Sequence, residues 1–283
     1  MKDAIHWEKI SPILQNALQE DIGEGDLTTE LLFPEDLSAC AKIVSKTEGI
    51  VAGLPFAEKI FRFLDPEIVW SPVVSEGDSI TLNQTLVTLE GKARAILTGE
   101  RVALNVLQRL SGIATLTHAF VERVKGLPVK ILDTRKTTPG LRLLEKYAVT
   151  IGGGHNHRFG LDDAIMIKDN HRTLAGGMEK ALQTIQPKRP TGIPLEVEAS
   201  NLEDVRTALN YSVDIIMLDN MSIEEMKQAV DLIQGKCIIE ASGGINLETV
   251  KEIAQTGVNT ISIGALTHSA KALDLSLYVY PKQ

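Results

Sequence analysis

PLEVEAS (194–200), DIIMLDN (214–220), KCIIEASGG (236–244) and NTISIGAL (259–266) are short apolar runs, each about the length of a buried strand. Between them lie amphipathic stretches of helical length at 201–210, 222–234 and 246–257. Asn201, Ser222 and Asn246 stand where helix N-caps are expected. Two runs of the same kind, VKILDTR (129–135) and AIMIKDN (164–170), come earlier. Strands alternating with helices predict parallel pairing through crossover helices. The runs are apolar throughout, so both faces of the sheet are expected to be covered. Their ends carry Asp133, Arg135, Lys168, Glu198, Asp219, Glu240 and Gly264. A β/α barrel brings such positions to one mouth, whereas an open doubly wound sheet spreads them along a line. The expectation is a barrel with six secure strands instead of eight.

The N-terminal part has a different texture. Residues 7–19 read as an amphipathic helix. AKIVSKTEGIVAG (41–53), EIVWSPV (67–73) and DSITLNQTLVTLEG (78–91) read as strands, with Gly77 and Gly91 as turn residues. A small, mostly antiparallel sheet is expected there. Residues 98–124 have apolar positions at helical spacing and form a long helix joining the two parts.

With 283 residues, 43% hydrophobic and 23% charged, the chain has the composition of a globular protein of one large or two modest domains. No stretch approaches the ~20 apolar residues of a membrane helix, and MKDAIHWEKISP lacks a signal-type apolar core. A cytoplasmic location without membrane attachment is expected. The net charge of −8 and the 4% aromatic content argue against nucleic acid as a partner. Cys40 and Cys237 lie far apart without CxxC spacing, so neither a disulfide framework nor a thiolate metal site is supported. Cys237, in the run CIIE, is expected to be a buried thiol. Between Asp133 and Arg172, seven basic and five acidic side chains give a local +2, leaving −10 elsewhere. A locally basic pocket on an acidic protein suits a small anion.

Four stretches could carry chemistry. In DTRKTTPG (133–140), Arg135 can clamp a carboxylate or phosphate and Lys136 can add a point charge, although two solvated cations would look the same. IGGGHNHRFGLDDAIMIKDNH (151–171) sets three glycines before His155, His157 and Arg158, then an apolar strand ending in Lys168. A lysine emerging from such a strand must be paired or functional, because burying it alone is costly. Glu198 and Asp219 end successive runs and could hold Mg²⁺, hydrogen-bond ribose hydroxyls, or pair with neighbouring cations. Finally, ASGGIN (241–246) and SIGALTHSA (262–270) offer Ser242, Gly243, Gly244, Gly264 and His268 for backbone-mediated phosphate binding in the last two loops of a barrel.

Taken together, EDIGEGDLTT (20–29), RVALNVLQRLSGIAT (101–115), DTRKTTPGLR (133–142), GGGHNHR (152–158), IKDNH (167–171), EVE (196–198), MLDN (217–220), EASGGI (240–245) and GALTHS (264–269) resemble the quinolinate phosphoribosyltransferase family over nearly the whole chain. The resemblance implies an N-terminal α/β sandwich over 1–112, rejoined by 270–283, and an incomplete β/α barrel over 113–269. It implies transfer of phosphoribosyl from phosphoribosyl pyrophosphate to quinolinate with loss of CO₂, Mg²⁺ as cofactor, and a homo-oligomer, dimer or hexamer. Arg101, Arg135, His157, Arg158 and Lys168 match the family's quinolinate positions, with Arg101 reaching into the neighbouring subunit's site. Glu198 and Asp219, with Lys136 nearby, match the ribose and metal positions. Ser242, Gly243, Gly244, Gly264 and His268 match the phosphate positions. Glu198, Asp219, Lys136 and Lys168 are the implied catalytic set.

Three other readings compete, one of them a molybdenum-associated paralogue of the same fold, against which the retained set of dicarboxylate cations argues. A Schiff-base aldolase would use Lys168 as nucleophile, which requires an apolar pocket around the amine. The pattern VSEGDSITLNQTLVTLEG (74–91) also resembles a biotinyl or lipoyl carrier hammerhead, but no modifiable lysine stands at a hairpin tip there.

Overall fold

A computed structural model describes residues 5–282 of the chain. In order, it runs through α1 (Trp7–Ile22), β1 (Ser38–Ser45), α2 (Leu54–Leu64), β2 (Val69–Pro72), β3 (Thr85–Lys92), the long helix α3 (Ala93–Arg123) and β4 (Lys130–Leu132). There follow α4 (Arg142–Ile151), β5 (Ile165–Ile167), α5 (Asp169–Ala175), α6 (Met178–Ile185), β6 (Leu195–Ala199), α7 (Leu202–Leu209) and β7 (Ile215–Asp219). The chain ends through α8 (Ile223–Ile233), β8 (Ile238–Ser242), α9 (Val250–Ala254), β9 (Thr260–Ser262), α10 (Ala265–His268) and β10 (Leu275–Pro281).

Residue contacts divide the chain into two compact units. The first holds residues up to His118, then Thr137–Gly153 and everything from Thr267; the second holds Ala119–Lys136 and Gly154–Leu266. The division therefore lies a few residues from the cuts at 112 and 270, and it adds α4 to the first unit. The reason is packing along α3. A Cβ on Gly152 would lie 2.5 Å from the Ala114 carbonyl oxygen, so only glycine lets the end of α4 approach that helix so closely. Glu145 on α4 is fully buried and accepts hydrogen bonds from Arg109 on α3 at 2.8 and 3.0 Å.

In the first unit, four strands form an antiparallel sheet in the order β10-β1-β3-β2. The C-terminal strand pairs with β1 from Ala39 opposite Pro281 to Ser45 opposite Leu275. On α2, Phe56, Ala57, Ile60 and Phe61 are fully buried. Their spacing gives one apolar stripe, as an amphipathic helix requires. Trp7 of α1 meets Phe56 edge-on at 5.9 Å between ring centroids.

In the second unit, six parallel strands run in the order β4-β9-β8-β7-β6-β5. The first strand of the set thus pairs with the last. A closed barrel would also join β4 to β5, and no such pairing occurs among the described residues. Instead, His155 bridges to Leu132 in parallel sense at the free edge of β4. The result is a β/α barrel left open between its first and second strands, all six of which the apolar runs anticipate. Every residue of β6 is buried, as are Ile216 and Leu218 of β7, Ala241 of β8 and Ile261 of β9. Such strands are covered on both faces.

Helix starts are mostly where the caps place them. Asn201 accepts the Asp204 amide at 2.9 Å, and Ser222 with Glu225 forms a reciprocal capping box. Asn246 is different. Its side chain accepts the Glu248 and Thr249 amides and builds a turn, so the helix expected from 246 begins only at Val250. Cys237 is also corrected: it precedes β8 and is half-buried, not buried. Burial raises its thiol pKa above the ordinary value.

Candidate active site

The strand ends of the second unit bring together most of the residues singled out in the sequence. Glu198 is the penultimate residue of β6 and Asp219 the last of β7. Strand-end positions in a parallel sheet face one mouth. Glu198 is 7% exposed, and its Oε2 makes no hydrogen bond but lies 3.5 Å from the Lys168 ammonium. Burial raises the Glu198 pKa; Lys168 opposes that shift and Asp219 adds to it. The last influence shows that the two carboxylates feel each other. They are hard oxygen donors whose mutual repulsion a divalent cation would relieve, so the pair suits Mg²⁺.

Lys168 stands between β5 and α5, with its side chain half exposed and ion-paired. That setting is not the apolar pocket a Schiff-base nucleophile needs. Arg135 follows the end of β4. Burial and the nearby charge of Arg135 both lower the Arg158 pKa, so two guanidinium groups are held close together. Arg158 is also anchored by donating to the Ala164 carbonyl at 2.9 Å. Lys136 is exposed beside them, its amide bonded to Thr134 Oγ1. The cluster has the concentration of positive charge that a compact polyanion would complement. Arg142 and Lys146, which contribute to the basic count of the sequence, belong to the first unit.

His157, expected among the quinolinate contacts, has buried glutamates beside one ring nitrogen and a backbone amide at the other. Its Nε2 lies 3.2 Å from Glu196 and 3.4 Å from Glu240, both 1% exposed. Its Nδ1 accepts the Arg158 amide at 2.7 Å. Burial disfavours a charge on the ring, yet the two carboxylates outweigh it and raise the pKa to about 10, while the Arg158 amide favours the neutral ring. The three ligand-type atoms lie within 4.8 Å of one another, but one nitrogen and two buried oxygens are not the oxygen set Mg²⁺ prefers.

The glycine turns divide in function. Gly243 has φ +96°, and a Cβ there would lie 2.2 Å from Asn220 Oδ1. Asn220 itself has φ 54°, donates its amide to Ser242 at 3.0 Å, and donates from its side chain to Asp219 at 2.9 Å. A close knot therefore ties the end of β8 to the Asp219 carboxylate. Gly244, at φ +62°, faces open space. Ser242 ends β8 and Gly264 follows β9, both in the same unit. Arg101, exposed on α3, and His268, whose Nδ1 lies 2.6 Å from Ser269 Oγ, belong to the first unit.

Several residues escaped the sequence reading. Glu196 sits two positions before Glu198, and that period of two is the signal that both point to one face. Glu240 and Asp133 were visible only as strand-end acids. Arg172 bonds the Glu198 carbonyl at 3.1 Å and Asp204 at 2.6 Å, which secures the end of β6. Nothing in its local sequence marks it.

Comparison with known proteins bears on the whole chain. The family described as quinolinate phosphoribosyl transferase, C-terminal domain, matches residues 113–278, and its N-terminal domain matches 26–111. A probable nicotinate-nucleotide pyrophosphorylase [carboxylating] of Synechocystis is 46% identical over 276 residues, covering 96% of this chain and 93% of the relative. Quinolinate phosphoribosyltransferase [decarboxylating] 1b of Nicotiana tabacum is 46% identical over 288 residues, covering 94% and 81%. The solved nicotinate-nucleotide pyrophosphorylase of Francisella tularensis superposes with a TM-score of 0.93 at 40% identity, covering 99% of each chain.

Proposed function

The chain belongs to the quinolinate phosphoribosyl transferase family, and from that premise we propose how its residues divide the work. The enzyme transfers the phosphoribosyl group of phosphoribosyl pyrophosphate to quinolinate with decarboxylation, giving nicotinate mononucleotide, pyrophosphate and CO₂ for NAD biosynthesis. One observation carries the assignment of roles. A cation cluster and a carboxylate pair converge on the same end of one parallel sheet.

Arg135, Arg158 and Lys168 hold the quinolinate carboxylates. The planar guanidinium groups suit bidentate contacts and the lysine acts as a point charge. Arg101 completes this subsite from a second copy of the chain, which makes the working enzyme a homo-oligomer. Ser242, Gly243, Gly244 and Gly264 receive the 5′-phosphate. The pyridine nitrogen attacks the anomeric carbon while the bond to pyrophosphate breaks, through an oxocarbenium-like state. Glu198 and Asp219 face that developing positive charge with fixed negative charge, an electrostatic arrangement that needs no reorganisation during reaction. Lys136 offsets charge on the departing pyrophosphate. Mg²⁺, when bound with the pyrophosphate, would be held by Glu198 and Asp219 and would supply further charge neutralisation. Once alkylated, the ring nitrogen is cationic. The C2 carboxylate then leaves as CO₂, its bonding pair stays on C2, and a solvent proton replaces it. The cations around the substrate orient it without exchanging protons.

The test is product formation from quinolinate, phosphoribosyl pyrophosphate and Mg²⁺, with nicotinate as control acceptor. Nicotinate mononucleotide and CO₂ are expected from quinolinate alone. Equal turnover of nicotinate would overturn the assigned role of the cation cluster, because one carboxylate would then suffice.

A further inference from the structure

The interior of the second unit contains a charged group that the reaction as derived does not use. Glu196 on β6 and Glu240 on β8 are 1% exposed, and Asp133 beyond β4 is fully buried. Burying carboxylates costs free energy that apolar side chains of the same size would not. Their partners run in one direction. Both glutamates meet His157 Nε2, at 3.2 and 3.4 Å, and Glu240 also accepts from Thr260 Oγ1 at 3.4 Å. The other ring nitrogen of His157 receives the Arg158 amide at 2.7 Å. The His157 amide donates to Asp133 at 2.9 Å, and the Asp133 amide donates to the His155 carbonyl at 3.1 Å. Residues 155–158 are thus stitched to the free edge of β4 through Asp133 and the His155 bridge, and meet the buried glutamates through the imidazole. Arg158, whose guanidinium faces that of Arg135, sits at the end of this chain of contacts.

We propose that Glu196 and Glu240 are positioning residues of the quinolinate subsite, acting through His157 to hold the Arg158 backbone where its guanidinium meets the substrate. The inference rests on the assignment of Arg135 and Arg158 to quinolinate. Two guanidinium groups side by side repel one another, and a loop without an anchor would let them part. The glutamates counter this by flanking the imidazole, and the negative charge of Glu196 also acts on Arg158. Because the effect passes through the ring and an amide, it acts on quinolinate and leaves the phosphoribosyl side untouched.

The experiment compares Glu240→Leu, Glu196→Leu, His157→Asn and the double variant His157→Asn/Glu240→Leu in the full-length enzyme. KM for each substrate, kcat and Tm are measured. Expected for each leucine variant is a rise in quinolinate KM of about tenfold, the size typical of coupling between touching residues. The KM for phosphoribosyl pyrophosphate stays within about twofold and Tm is little changed, since one glutamate remains in each variant to pair with the imidazole. In the His157→Asn background, adding Glu240→Leu has no further effect. A purely structural role predicts the reverse: a lower Tm, both KM values raised, and the same increment with or without His157. That pattern, or an unchanged quinolinate KM in both leucine variants, overturns the proposal. Arg135→Ala tests the parent assignment separately. If it raises quinolinate KM while the leucine variants do not, only the positioning role fails; if it does not, the subsite and the inference fall together.

Discussion

Gly243→Ala tests whether the end of β8 positions the Asp219 carboxylate. Gly243 is at φ +96°, where an L side chain costs roughly 1–2 kcal/mol. The added methyl would also lie 2.2 Å from Asn220 Oδ1, an overlap that forces a shift. Overpacking of this kind costs about 1–3 kcal/mol. The sum is a loss of about 2–5 kcal/mol, or about 4–20 °C in Tm at roughly 2–4 °C per kcal/mol. The part that must yield is the Asn220 side chain, which donates to Asp219 at 2.9 Å. A hydrogen bond to a charged group contributes about 1.5–3 kcal/mol, so kcat/KM for phosphoribosyl pyrophosphate should fall about 10- to 100-fold. Gly235→Ala is the control. Gly235 has φ +72° with open space around a Cβ, so it carries the strain without the clash. Its Tm should fall by about 2–8 °C with unchanged kinetics. Thermal melts and steady-state rates at saturating quinolinate decide the matter. If Gly243→Ala loses stability but keeps its kcat/KM for phosphoribosyl pyrophosphate, the knot around Asn220 does not position Asp219.

Further outcomes follow from other contacts. Arg135→Ala and Lys168→Ala should each raise quinolinate KM about tenfold or more, the scale of a lost charge-assisted hydrogen bond, and unchanged affinity in both would remove them from the subsite. Arg109→Met leaves the fully buried Glu145 without its main counter-charge and should cost about 3–5 kcal/mol in urea unfolding, with Arg109→Met/Glu145→Leu recovering much of it. Burial pushes the Asp163 pKa up, but the Phe159 and Gly160 amides outweigh it and lower the folded value below 3.8. The stabilisation is therefore complete above about pH 4 and is lost as pH falls through the folded pKa; Asp163→Asn should flatten that part of the stability–pH curve.

The fold was legible where the sequence repeats itself. Six apolar runs anticipated six parallel strands, because a strand covered on both faces must be apolar throughout. The place of α4 was not legible. Its membership of the first unit depends on Gly152 and Glu145 meeting α3, contacts between residues far apart in sequence. Within the site, Glu198, Asp219, Lys168 and Arg135 could be found because each ends an apolar run. His157 was found as a residue but its neighbours were not: only the three-dimensional packing brings its ring beside Glu196 and Glu240. The triple glycine gave no sign in the sequence of how its members divide. In the structure Gly152 serves packing against Ala114, and Gly153 takes the positive φ of +89°.

The distribution of charge in the second unit follows the chemistry it serves. Arg135, Lys136 and Arg158 lie on loops, whereas Glu196, Glu198, Asp219 and Glu240 lie within strands. Long cationic side chains can reach a substrate carboxylate from a loop and adjust to it on binding. A carboxylate has no such reach. To stabilise positive charge that exists only during glycosidic cleavage, it must already be in place, on backbone that does not move. Strand positions supply that rigidity and also bury the acid, which raises the pKa of Glu198 and brings Lys168 to within 3.5 Å of it.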